Sequence, residues 1–123
     1  MTATVPTIEI EPRAERGETC CVPAAAPVIT DAEAIEFAGW FKALADPTRI
    51  QILNLLAQSE EPVCVCEITP RFQIGQPTIS HHLKILRDTR FVHAERRGTF
   101  MYYRLNRACI REFPEAARRI LNL

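Results

Sequence analysis

Five cysteines are the residues of this chain with the most chemistry in them, and four of the five form two close pairs, Cys20-Cys21 and Cys64/Cys66. Thiolates select soft ions, and a neighbouring pair can instead oxidise. An odd number of cysteines in tight clusters makes a poor disulfide framework. Glu9, Glu11, Glu15 and Glu18 stand where an export signal would place basic and then apolar residues. The expectation is a cytoplasmic protein with reduced thiols, used for metal or redox chemistry. Cys64 and Cys66 are two residues apart. On an α-helix their side chains would diverge by about 200°; in extended backbone they would project from the same side. Joint chelation therefore requires a non-helical start to the element that carries them, and a helix N-terminus there would also favour the thiolate. Cys109 stands at helical spacing to Phe113 and Ala116 and reads as a core residue. No nucleophile is paired with a base and no cofactor-binding loop is present, so an enzyme is not expected.

A second chemistry lies in the distribution of charge. Fifteen basic and fifteen acidic residues cancel over the chain, but residues 1–66 hold four Lys/Arg against ten Asp/Glu, while residues 67–123 hold eleven against five. The C-terminal half suits a polyanion. Within it, Gly75 precedes Gln76-Pro77-Thr78-Ile79-Ser80-His81-His82-Leu83-Lys84-Ile85-Leu86. As a helix, this run places Leu83 and Leu86 within about 40° of Ile79 on a core face, with His81, Lys84 and Pro77 opposite. Thr78 and Ser80 flank that outer face, Gln76 opens it, and His82 falls at the boundary. Hydroxyls, an imidazole and a lysine on one exposed face can meet phosphates and base edges in a major groove. Adjacent helix positions point about 100° apart, so His81-His82 is not expected to share an ion. Arg96-Arg97-Gly98-Thr99 then forms the tip of a basic hairpin suited to backbone or minor-groove contact.

The elements that must position these groups follow from periodicity. Residues 1–30, with Pro6, Pro12, Pro23 and Pro27, read as a flexible N-terminal arm carrying the Cys-Cys pair, and residues 31–123 as the folded domain. Thr30 caps a first helix with Ile35, Ala38, Phe41 and Leu44 at helical spacing. Asp46-Pro47 starts a second, with Ile50, Leu53, Leu56 and Ala57 as its buried stripe. Val63–Arg71 is a short third element in which Pro70 is awkward. After the Gln76 helix come strands over 91–96 and 100–105. A last helix over 107–121 is expected to bury Cys109, Phe113, Ala116, Ala117 and Ile120. The fold class is mainly α with a small β-hairpin, a winged helix-turn-helix. The first and last helices carry apolar residues beyond one stripe (Ile35, Phe37, Trp40, Phe41; Phe113, Ile120, Leu121), which predicts a homodimer. No run approaches the roughly 18 apolar residues of a membrane span, so no membrane partner is expected.

Phe41-Lys42-Ala43-Leu44-Ala45-Asp46-Pro47-Thr48-Arg49, then Cys64-Val65-Cys66-Glu67, then Gln76 to Leu83 together resemble the ArsR/SmtB family of bacterial metal-sensing repressors over about residues 35–106. The resemblance implies a dimer with the first and last helices at its interface. It also implies binding to double-stranded operator DNA when metal-free and release when loaded. It places a metal or metalloid site at Cys64 and Cys66. One type of arsenite sensor takes a third thiolate three residues on, where this chain has Thr69, so Cys20 and Cys21 are the implied donors, as in actinobacterial arsenite repressors. Three sulfurs suit As(III) or Sb(III); four suit Cd(II) or Pb(II). The family's zinc sensors use histidines on the last helix, and residues 107–123 contain none. A thiol redox-responsive regulator is the competing expectation.

Overall fold

The computed structural model describes residues 28–123, so the expected arm, including Cys20 and Cys21, lies almost wholly outside the described residues. Helix α1 spans Asp31–Leu44 and begins with a reciprocal cap: the Glu33 N–H donates to the Thr30 hydroxyl, while Glu33 accepts from the Thr30 N–H. Asp46, in extended backbone, accepts from the N–H groups of Thr48 and Arg49 and opens α2, Pro47–Ala57, with Pro47 in its first turn. Burial opposes ionisation of Asp46, but those two donors and the nearby His82 and Arg49 outweigh it and hold its carboxyl below the usual range.

The third element is composite. Val63–Cys64 is a short strand, β1; α3 follows over Val65–Ile68, and a 3₁₀ turn over Thr69–Arg71 accommodates Pro70. Helix α4 runs Gln76–Asp88. Strands β2 (Val92–Arg97) and β3 (Phe100–Leu105) form the hairpin, and β1 pairs antiparallel with the free edge of β3, giving the order β1-β3-β2. The sheet therefore has three strands where the sequence predicts a two-stranded hairpin; a two-residue strand is too short to show alternation. Gly98 takes φ +63° in the Gly98-Thr99 turn, a conformation that favours glycine. Gly75, by contrast, occupies the α4 N-cap in extended backbone, φ −70° and ψ 158°.

The last helix is broken. Short α5 (Arg107–Ile110) and α6 (Glu112–Leu121) meet at Arg111. Pro114 supplies no N–H, and its ring crowds the carbonyl of Ile110, so a continuous helix across this point is disfavoured. Of the residues expected to be buried on it, Ala116 is buried, Cys109, Phe113 and Ala117 are half-buried, and Ile120 is exposed.

The core is drawn from every element that frames the site. Ile52, Leu56, Ile68, Ile79, Leu83 and Leu86 are fully buried together with Cys64. The stripe of α2 is thus centred on Ile52 and Leu56. Ile50, expected inside, is exposed and lies beside Leu44, Ala45 and Pro47 along an open apolar cleft of about 480 Å³. In α1 the buried residues are Phe37 and Ala43, while Ile35 and Phe41 are exposed.

Candidate DNA interface and thiol site

Helix α4 has the expected buried and exposed faces. Ile79, Leu83 and Leu86 are 0% exposed, whereas Gln76, Thr78, His81 and Lys84 are exposed and Ser80 is half-buried. The N-terminus of α4 has no side-chain cap, and Pro77 lies in its first turn; open N–H dipoles there favour an anion such as phosphate. Lys84 lies 3.9 Å from Asp88 with both side chains largely exposed, a contact weak enough to exchange for phosphate. His82 sits at the boundary, as its helical angle predicts. Its Nδ1 is 3.2 Å from Nη1 of Arg49, whose Nε donates to the Ala43 carbonyl at 2.5 Å. Arg49 therefore ties the end of α1 to the recognition helix. Sequence reasoning missed this role, although an arginine in the first turn of α2 was visible.

At the hairpin tip the two arginines differ. Arg96 is exposed and has no ion-pair partner among the described residues. Arg97 was expected to face DNA equally, yet its Nε donates to Glu95 at 2.7 Å and its guanidinium lies 4.7 Å from the Tyr102 ring centroid. The Glu95 hydrogen bond and its charge raise the Arg97 pKa further. Its charge still faces solvent at the tip, but its geometry is set by the sheet.

The thiol pair converges as its spacing requires. Cys64 is the N-cap of α3 in extended backbone, φ −67° and ψ 141°, and its Sγ accepts from the Cys66 N–H at 3.2 Å. The Cα atoms are 5.1 Å apart and the structure joins the sulfurs as a disulfide, where reduced thiols were expected. Cys64 is buried and Cys66 exposed, so the pair faces solvent through Cys66. Among the described residues, no three His, Cys, Asp or Glu side chains gather into a metal site. Two sulfurs alone are present here, and Thr69, in the position of a third ligand, donates its hydroxyl to the Val65 carbonyl at 2.8 Å. Cys64 also pairs with Tyr102 across β1 and β3. The ring that holds Arg97 is thus one ladder step from the thiol site, a connection the sequence did not reveal. No described helix is long and apolar enough to cross a membrane.

Residues 46–94 match the family model described as bacterial regulatory protein, arsR family. An uncharacterized HTH-type transcriptional regulator from Methanocaldococcus jannaschii is 49% identical over 63 residues, 51% of this chain and 70% of that protein. The arsenical resistance operon repressor of Bacillus subtilis is 46% identical over 66 residues, 54% of this chain and 62% of the repressor. Among solved structures, a homodimeric winged helix-turn-helix DNA-binding domain from Mycobacterium bovis is 32% identical with a TM-score of 0.61, over 77% of this chain and 87% of that one. An ArsR-like transcriptional regulator from Rhodococcus sp. RHA1 is 26% identical with a TM-score of 0.62, over 72% of this chain and 82% of that one. The curated arsenical repressor is matched over less than two thirds of its length. From the α4 surface, the hairpin wing and these likenesses together, the chain belongs to the ArsR family of winged helix-turn-helix DNA-binding regulators, and is not an enzyme.

Proposed function

We propose that this chain is a cytoplasmic, homodimeric repressor that leaves its operator when As(III) or Sb(III) binds Cys64, Cys66 and one or both of Cys20 and Cys21. In this reading residues 1–30 form the arm that delivers the last sulfurs and residues 31–123 the DNA-binding and dimerisation unit. The observation that carries it is the convergence of two sulfurs, that of Cys64, the extended N-cap of α3, and that of Cys66 in the first turn of α3. Likeness to arsenical resistance operon repressors supports the choice of ligand. In the metalloid-binding form the pair is a reduced dithiol, and the α3 N-terminus favours its thiolates.

Gln76, Thr78, Ser80, His81 and Lys84 meet the major groove, and Arg96 and Arg97 the flanking backbone or minor groove. Two α4 helices in a dimer must sit about one DNA turn apart, roughly 34 Å. Binding at the thiols acts on that spacing by two routes. Cys64 is paired with β3 at Tyr102, which leads to the wing; Ile68, at the end of α3, lies in the same buried cluster as Ile79 and Leu83 of α4. Moving occupancy from 99:1 to 1:99 needs a difference in ligand affinity between the two states of about 10⁴-fold, or about 5.5 kcal/mol. Metal–thiolate bonds made in one state only can supply that.

A gel-shift titration under reducing conditions tests the reading. Wild type is expected to release DNA as arsenite is added, and the Cys64→Ser/Cys66→Ser protein to stay bound; equal release by both would show that the site is elsewhere. Release by Cd(II) or Pb(II) but not arsenite would favour the cadmium or lead alternative, whose four-thiolate site a count of four sulfurs by X-ray absorption would assign. The disulfide contact between Cys64 and Cys66 favours one second reading, a thiol redox regulator. It requires release by peroxide with no metal present, reversed by a dithiol.

A further inference from the structure

The tip of the β2–β3 hairpin holds a large apolar ring in the open. Phe100 is 50% exposed and pairs across the ladder with Arg97, directly after the Gly98-Thr99 turn. On an exposed hairpin the opposite arginine can cover such a ring. Here Arg97 is drawn the other way. Its partners Glu95 and Tyr102 face each other two positions farther from the tip, on the same face as Phe100. Phe100 is thus left uncovered, outside the residues that form or line the core, and between exposed Thr99 and the half-buried Met101.

What covers it must tolerate the Arg97 guanidinium on the ring's own face of the hairpin and that of Arg96 on the opposite face. A second copy of the same tip brings like charge, whereas DNA brings phosphates to the arginines and the apolar edges of sugars and bases to the ring. We propose that Phe100 is a DNA-contacting residue, an apolar wedge that the wing sets into the minor groove beside the half-site. This rests on the DNA-binding reading above and adds to it a contact of different chemistry. Its energy depends on groove width and on how readily the base step opens, so it contributes sequence preference where no side chain hydrogen-bonds a base.

Salt dependence separates this contact from the charged ones. The full-length protein is titrated with a duplex from upstream of its own gene, across a series of salt concentrations. Burying the exposed half of a phenylalanine ring corresponds to about a fivefold change in affinity per wing, and about 25-fold for two wings acting independently. Phe100→Ala is expected to lower affinity by that order with the slope of log K against log[salt] unchanged, and Phe100→Leu to recover most of the loss. Arg96→Ala should instead reduce the slope. Wild-type affinity in Phe100→Ala, a loss that alters the slope, or a loss accompanied by a lower unfolding temperature and not recovered by leucine would each overturn the proposal. If wild type itself fails to bind the duplex, the DNA-binding reading fails first.

Discussion

The recognition helix α4 and the terminal helices α1 and α6 leave opposite kinds of surface uncovered. On α4 the three core residues are wholly buried, and the free face offers hydroxyls, an amide, an imidazole and a lysine. On α1 and α6 large apolar side chains stand uncovered among charged ones: Ile35 is 74% exposed, Leu121 64%, Ile120 44% and Phe41 41%. Within the protomer these helices are joined by a tilted contact of the Phe41 and Phe113 rings, with centroids 5.1 Å apart, and by the ion pair of Arg119 with Glu33. A polar free face on a well-packed helix suits a charged, hydrated partner. An apolar free face on a helix with few buried residues suits a second copy of itself. In the proposed function the same fold separates reading DNA from pairing with a second copy.

Breaking that separation on the apolar side has the largest expected effect. Ile35→Glu should leave the protomer folded, since Ile35 is exposed in it, but give a monomer by analytical ultracentrifugation. Losing the second recognition helix should weaken operator binding by about 10²–10⁴-fold; a dimer of unchanged affinity would remove the pairing face from α1. Next comes the buried side of α4. Leu83→Ala removes a fully buried side chain and should cost about 3 kcal/mol in denaturant unfolding, whereas His81→Ala should change stability by less than about 0.5 kcal/mol. On the polar side, Lys84→Ala should weaken binding across sequences alike and lower the salt slope by about one per protomer. A stability loss with no change in slope would make Lys84 structural.

The smallest effect is a pH dependence at the α1–α6 junction. The Arg119 hydrogen bond, with the Thr30 N–H next, lowers the Glu33 pKa from 4.5 to about 2. The contribution of Glu33 is therefore fully present above the unfolded value and is lost as pH falls from about 4.5 toward 2. In an NMR titration the Glu33 carboxyl should remain ionised at pH 3.5, and Arg119→Gln should return it toward the ordinary range.

How legible each region was depended on how its order is encoded. The stripe of α4 was plain because three large aliphatics at helical spacing leave no other face to bury. Thr30, Asp46 and Pro47 marked helix starts because their caps are local hydrogen bonds. In α1 the spacing of Ile35, Ala38 and Phe41 was visible, but it describes the outward face; periodicity finds an apolar stripe without saying which body covers it. The β1 strand, the Arg49–His82 contact and the seat of Arg97 on Tyr102 join residues far apart in the chain or set by sheet register, and no local pattern carries them. The Cys64/Cys66 geometry lay between these cases. Spacing required an extended start, and Pro62 before it and Pro70 after it confined the helix to a short stretch.

In the proposed mechanism, sulfurs distant in sequence close on one metalloid, and the loaded state cannot hold DNA. X-ray absorption at the arsenic edge, on the reduced full-length chain loaded with one arsenite per protomer, tests it most directly when DNA occupancy is read by anisotropy on the same sample. The expected result is three sulfur neighbours with the duplex released, falling to two sulfurs with the duplex retained in Cys20→Ser/Cys21→Ser. Two sulfurs in wild type, or three with the duplex still bound, would contradict it.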